Sequence, residues 1–253
     1  MKRVKTGVPG LDEMLMGGFI PQTANLIEGA PGTGKSTLGM QFIHHGIVAD
    51  DEPGLILTFE EFPQQYYRDA AAFGWDFKGL ERDGRLRVVM TSPAVGAAGL
   101  AEVGGTIEQL VREIGARRIL VDSLSHFERI GERPADLRRT AYGFINGLKR
   151  EGLTAVLTRE SEVLLGNAAS SADALAFLAD SYILLRYVEI ESAVRKALLV
   201  LKLRGSDHDK RIRQCEITSR GLEVLAPFEG REGIMSGSPR RMVDSFVEAF
   251  VQR

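Results

Sequence analysis

Five short apolar runs punctuate the first 160 residues: Asn25–Glu28, Leu55–Phe59, Leu86–Met90, Ile119–Asp122 and Ala155–Thr158. Each has strand length, and near-continuous apolarity is the mark of strands covered on both faces. Between the runs lie helical patterns near residues 35–48, 64–73, 102–115 and 135–150. In the third, Val103, Ile107, Leu110, Val111 and Ile114 fall on one face at helical spacing. This alternation predicts βαβ units and an α/β fold on a mostly parallel central sheet flanked by helices.

The texture changes after residue 180. Ser181–Leu185, Ala197–Leu201 and Arg211–Ile217 follow one another with no helical pattern between them. They predict antiparallel strands added to the sheet. A C-terminal tail begins near residue 236, and from Arg240 to Arg253 the residues Met242, Val243, Phe246, Val247 and Phe250 recur on one side of an expected helix. Its stripe is expected to dock on its own domain, with packing on a neighbouring subunit as the alternative. No linker or repeat interrupts the chain, so residues 1–253 read as a single domain.

Composition narrows the function. Hydrophobic residues make up 44% and charged residues 26%, which argues against disorder. The formal net charge is -2, so the footprint of a general nucleic-acid or anionic-membrane binder is missing. The basic start Met1–Lys5 is not followed by an apolar leader, and no run approaches the roughly 18 residues of a membrane span. Cys215 stands alone, which excludes an internal disulfide framework and fits a reducing cytoplasm. It reads as a small apolar strand residue, not a nucleophile. Glycine is the anomaly: there are 28, a fraction well above the ordinary ~7%.

Part of that excess lies in Gly29-Ala30-Pro31-Gly32-Thr33-Gly34-Lys35-Ser36-Thr37, which fits the phosphate-loop pattern G-x-x-x-x-G-K-[ST]. Glycines let successive backbone N–H groups turn toward phosphate oxygens, and a following helix adds the positive end of its dipole. Gly32, Thr33, Gly34, Lys35, Ser36 and Thr37 are therefore the expected nucleotide contacts. Lys35 would lie along the β- and γ-phosphates, and the Ser36 hydroxyl would ligate Mg²⁺. Asp122, at the end of an apolar strand, is the expected second acid on the metal, with helix capping as its plainer role. Glu60 and Glu61 follow the second strand, where parallel sheets place their ligand crevices. One is expected to take a proton from the attacking water and the other to orient or tune it. His44 and His45 read as helix residues and not as metal ligands, since no third ligand has recognisable spacing.

The ordered set of motifs resembles the KaiC-like branch of the RecA/RadA ATPase superfamily. Thr6-Gly7-Val8-Pro9-Gly10-Leu11-Asp12 with Gly17-Gly18 opens the likeness. Thr58-Phe59-Glu60-Glu61, Pro63-Gln64, Phe73-Gly74-Trp75 and Asp122-Ser123-Leu124 continue it after the phosphate loop. Lys202-Leu203-Arg204-Gly205-Ser206, His208-Asp209-Lys210 and Ser236-Gly237-Ser238-Pro239 complete it.

The resemblance implies a RecA-like P-loop fold assembled with copies of itself into a ring, usually a hexamer, with ATP between neighbouring subunits. Lys35, Ser36, Thr37, Glu60, Glu61 and Asp122 would act in cis. Lys202 and Arg204 would reach a neighbour's γ-phosphate, with Leu203 between them as a nucleotide contact. Ser206, His208 and Thr218 would lie near that nucleotide's ribose and base.

The resemblance also departs from clock KaiC, which carries two such domains and autophosphorylates on adjacent Ser and Thr. Ala176 and Phe177 stand at those positions here, and neither has a hydroxyl. Three functions compete. The first is a Mg²⁺-dependent ATPase acting as a nucleotide-driven switch or scaffold for another protein. The second is a serine/threonine autokinase. The third is a DNA-dependent recombination ATPase, which would need basic loops. Residues 123–134 and 159–173 pair their arginines with acids, which speaks against nucleic acid as a partner.

Overall fold

The computed structural model describes residues 2–101, 104–129, 134–161, 174–234 and 240–241. Its main sheet contains β1 (Ala24–Gly29), β2 (Gly54–Thr58), β3 (Leu86–Met90), β4 (Arg118–Asp122), β5 (Thr154–Glu160), β6 (Ser181–Ile190), β7 (Ala193–Leu203), β8 (Arg213–Thr218) and β9 (Gly221–Pro227). The order is β3-β2-β4-β5-β1-β6-β7-β8-β9. Pairings from β3 through β6 are parallel, and those from β6 to β9 are antiparallel. The α/β class and the antiparallel extension agree with the hydrophobic pattern.

The central strands β1, β2, β4 and β5 bury both faces, and their alternate side chains feed two separate cores. Ile27, Ile56, Leu120 and Val156 point to one face, which is covered by α1 (Leu11–Met14), α2 (Lys35–Asp50), α3 (Pro63–Ala72) and α4 (Phe77–Arg82). Leu26, Leu57, Val121 and Leu157 point to the other, under α5 (Pro93–Ala101), α6 (Thr106–Ile114), α7 (Pro134–Arg150) and α8 (Ala174–Leu178). This parity decides which residues at the strand ends share the α2 face: Thr58, Asp122 and Thr158 follow Ile56, Leu120 and Val156 by two.

The predicted helix over 102–115 is observed as α6, with Ile107 and Val111 buried and Leu110 and Ile114 packed beside them; Val103 lies outside the described residues. α4, α5 and β9 have no counterpart among the expected elements. α5 is built from small residues with two internal glycines, a sequence of poor helix propensity. A side chain at Gly99 would stand 2.9 Å from the Ile107 side chain, so close packing on α6 accounts for that glycine.

The tail requires a correction. Arg240–Arg241 form a strand, β11, paired antiparallel with β10 (Arg231–Glu232), so the expected helix does not begin there. Ladder bonds to Arg231 and Glu232 satisfy that backbone instead. Met242, Val243, Phe246, Val247 and Phe250 lie outside the described residues. Cys215 is fully buried on β8, and burial pushes its thiol up to about 12, as an inert packing residue requires.

Candidate functional site

β1 runs straight into the phosphate loop, and α2 starts at Lys35. Gly34 makes the junction, with φ at 109°, a conformation that a side chain resists. A side chain there would also meet Leu222 at 2.8 Å and Ile217 at 3.2 Å, because the β8–β9 hairpin packs on the loop. Thr33 braces the turn, its hydroxyl donating to the Ala30 carbonyl at 2.8 Å. Lys35 is buried and donates to the same carbonyl at 3.1 Å. Burial lowers its pKa, and Glu160, Asp122 and Glu28 oppose that shift by attraction. Ser36 and Thr37, half-buried, follow in the first helical turn.

Asp122 sits across from this lysine at the end of β4. Its Oδ2 accepts from the Tyr66 phenol at 2.9 Å, and its Oδ1 accepts from the Thr158 hydroxyl. Desolvation, then the Asp122 charge, hold the phenol well above its ordinary pKa, so it stays a donor.

Thr58 also shapes the glutamate turn, accepting from the backbone N–H of Glu61 at 3.1 Å and of Glu60 at 3.4 Å. The two acids then part. Glu60 Oε2 lies 3.1 Å from His126 Nε2. Glu61 is the acid that feels Asp122: partial desolvation first, then Asp122, Asp69 and Glu60, raise its pKa, against Arg68. It remains solvent-accessible, as a group that meets water must.

A second cluster adjoins the loop on the opposite face. Glu28, buried one residue before Gly29, accepts from the Tyr182 hydroxyl at 2.8 Å and pairs with Arg159 at 3.4 Å and Arg186 at 3.5 Å. Arg186 also donates to Ser161 at 2.6 Å.

Lys202, Leu203 and Arg204 stand at the other end of the sheet. Lys202 pairs with Tyr182, and Tyr182 pairs with Leu26, whereas the phosphate loop leaves β1 at Gly29. Three residues of strand separate those levels, about 10 Å, before the loop adds its own height. Lys202 Nζ donates to the carbonyls of Ala176, Phe177 and Ala179, and Arg204 Nη2 to that of Phe177 at 2.8 Å. Ser206 accepts from Arg3 at 2.6 Å. His208 Nδ1 is buried with no hydrogen bond among the described residues.

Lys35, Asp122, Glu60 and Glu61 are thus gathered at one edge, and Lys202, Arg204, Ser206 and His208 lie away from it. Thr218 parts from the second group: it closes the β8–β9 hairpin whose Ile217 and Leu222 touch Gly34 of the same chain. Thr58 entered the sequence reading only as part of a family-like motif, and Tyr66, Thr158 and Glu28 escaped it. Only parity could have singled out Thr58 and Thr158, as polar residues on the α2 face at the ends of apolar strands. His44 stacks on Trp75 at 5.3 Å, the role expected of a helix residue.

Hard oxygen donors at Ser36 and Asp122 beside a buried ammonium match the donor set of a magnesium–triphosphate site. Among the described residues, no helix is long and apolar enough to cross a membrane. A family model described as "ATPase: KaiC" matches residues 4–229. The chain is 35% identical over 246 residues to circadian clock protein KaiC3 of Synechocystis, covering 97% of this chain and 48% of that protein. It is 36% identical over 240 residues to the circadian clock oscillator protein KaiC of Thermostichus vulcanus, covering 95% and 46%. The corresponding protein of Synechococcus elongatus is 35% identical over 240 residues, again covering 95% and 46%. The chain spans about half the length of the curated relatives it matches. With the family model covering most of its length, this chain belongs to the KaiC family of ATPases.

Proposed function

We propose that this chain binds and hydrolyses ATP with Mg²⁺ at the interfaces of a ring of its own copies, a hexamer by family resemblance. The ring would act as a nucleotide-driven switch or scaffold for a protein partner in the cytoplasm. One observation carries the reading: the phosphate loop and its acids lie at one end of the sheet, and Lys202 and Arg204 at the other. A single chain cannot bring both to one phosphate. A neighbour can.

Bound MgATP supplies the phosphoryl group and the cation that screens its charge. The chain then has four tasks. The loop N–H groups and Lys35 hold the phosphates. Ser36 and Asp122 hold the metal side, Asp122 with both oxygens oriented by hydroxyls. Glu61 takes the proton of the attacking water; its neighbourhood to Asp122 and its raised pKa favour it over Glu60, whose carboxylate is turned to His126. Lys202 and Arg204 of the adjacent subunit neutralise charge developing on the transferred group, which ties turnover to assembly. Leu203, Ser206 and His208 would follow them to the neighbour's nucleotide, while Thr218 serves the nucleotide of its own chain.

Light scattering with and without MgATP, read alongside phosphate release, tests this reading. Assembly and turnover that both require MgATP support it. Turnover by a species that stays monomeric at every nucleotide concentration contradicts it.

A further inference from the structure

Thr58, Asp122 and Thr158 form a polar row across three adjacent strands. Thr58 and Asp122 are register partners between β2 and β4, and Thr158 follows the Val121–Leu157 pair between β4 and β5. All three face α2, by the parity of their strands. Tyr66 of α3, 2% exposed, reaches this row from another element, and its phenol donates to Asp122 Oδ2 at 2.9 Å.

We infer that Tyr66 is a positioning residue that holds the Asp122 carboxylate in the orientation the metal needs. The inference rests on the ATPase reading above. A carboxylate has about four lone-pair positions. Two hydroxyl donors, one on each oxygen, fix its rotation and leave the remaining positions for metal-bound water. Thr158 alone would leave the carboxylate free to pivot about one bond. Tyr66 also belongs to the helix that begins directly after the Glu60–Glu61 turn, so the base and the metal acid are tied to one rigid element. Packing does not explain the hydroxyl, because a phenylalanine would fill the same core volume. Outer-shell donors of this kind orient metal ligands, and their loss typically costs 10–100-fold in metal affinity or activity.

The test is Mn²⁺ binding to the full chain, followed by electron paramagnetic resonance in the presence of a non-hydrolysable ATP analogue. Metal-free binding of a fluorescent ATP analogue is measured in parallel. In Tyr66→Phe the Mn²⁺ half-saturation is expected to rise about tenfold, while metal-free nucleotide affinity stays at the wild-type value. Tyr66→Leu, which also lacks the hydroxyl, must show the same metal-selective loss and stands in should the first variant fold poorly. Wild-type Mn²⁺ affinity in either folded variant overturns the inference. So does a parallel loss of metal-free nucleotide binding, which marks a merely structural role. A wild-type chain that binds neither nucleotide nor Mn²⁺ overturns the ATPase reading itself.

Discussion

The Thr58 hydroxyl accepts the backbone N–H of Glu61 at 3.1 Å, and this bond sets the direction in which the second acid leaves its strand. The same oxygen receives the Glu60 N–H and donates to the Glu61 carbonyl at 3.1 Å. A hydroxyl can serve a turn in this way only when it sits just before it. Thr58→Val keeps the volume and removes every one of these bonds. Its kcat is expected to fall at least about tenfold, part of the 10²–10⁴ that a positioned base contributes. ATP affinity should hold, because no phosphate contact changes. Single-turnover phosphate release and equilibrium nucleotide binding separate the two.

The raised pKa of Glu61 carries a sign. A base works ionised, so activity is lost as pH falls through its pKa. Because desolvation and the Asp122, Asp69 and Glu60 charges raise that pKa, the acid limb of the kcat profile should lie above the ordinary glutamate range. Asp69→Asn removes one raising charge and should move the limb to lower pH. Glu61→Gln should abolish turnover at every pH while ATP still binds. A pH profile of kcat for the three proteins checks the assignment.

Arg118 is fully buried, with its guanidinium between Asp50 at 2.5 Å and Glu52 at 2.7 Å, donating also to the carbonyls of Lys5 and Phe42. It lies over the Phe42 ring, 4.7 Å from its centroid. Arg118→Ala would leave two carbonyls unpaired and open a cavity. The two acids are about one-third exposed and can rehydrate, so a loss of about 3 kcal/mol is expected, the low end for a broken buried pair. Urea unfolding should show a lower midpoint with an unchanged slope.

How much of this was legible in the sequence follows from the physics of each element. Strands buried on both faces leave apolar runs that stand out, and a phosphate loop needs its glycines in fixed order, so the sheet and Lys35 were readable. Elements made of small residues leave no such trace. α5 owes its stability to close packing on α6, which no local pattern records. Thr58 and Thr158 look like ordinary strand threonines until the sheet order brings them beside Asp122. Tyr66 looks like a core aromatic, which it also is. Arg204 carried no local signal: in this chain its guanidinium meets the Phe177 carbonyl and, at 3.9 Å, the Asp180 carboxylate, and the role proposed for it lies in another subunit.

That proposal makes a demanding prediction. Lys35→Ala should lack the phosphate cation, and Arg204→Ala should lack the cation offered to a neighbour. Each alone is therefore expected to be nearly inactive. In a ring, the subunit with an intact Lys35 can receive Arg204 from the other variant.

Phosphate release from an equimolar mixture of Lys35→Ala and Arg204→Ala, unfolded together and reassembled with MgATP, tests the account most directly. Random assembly into a closed ring should restore about a quarter of wild-type turnover, because one interface in four joins two intact halves. A mixture no more active than its separate components would contradict a site shared between subunits.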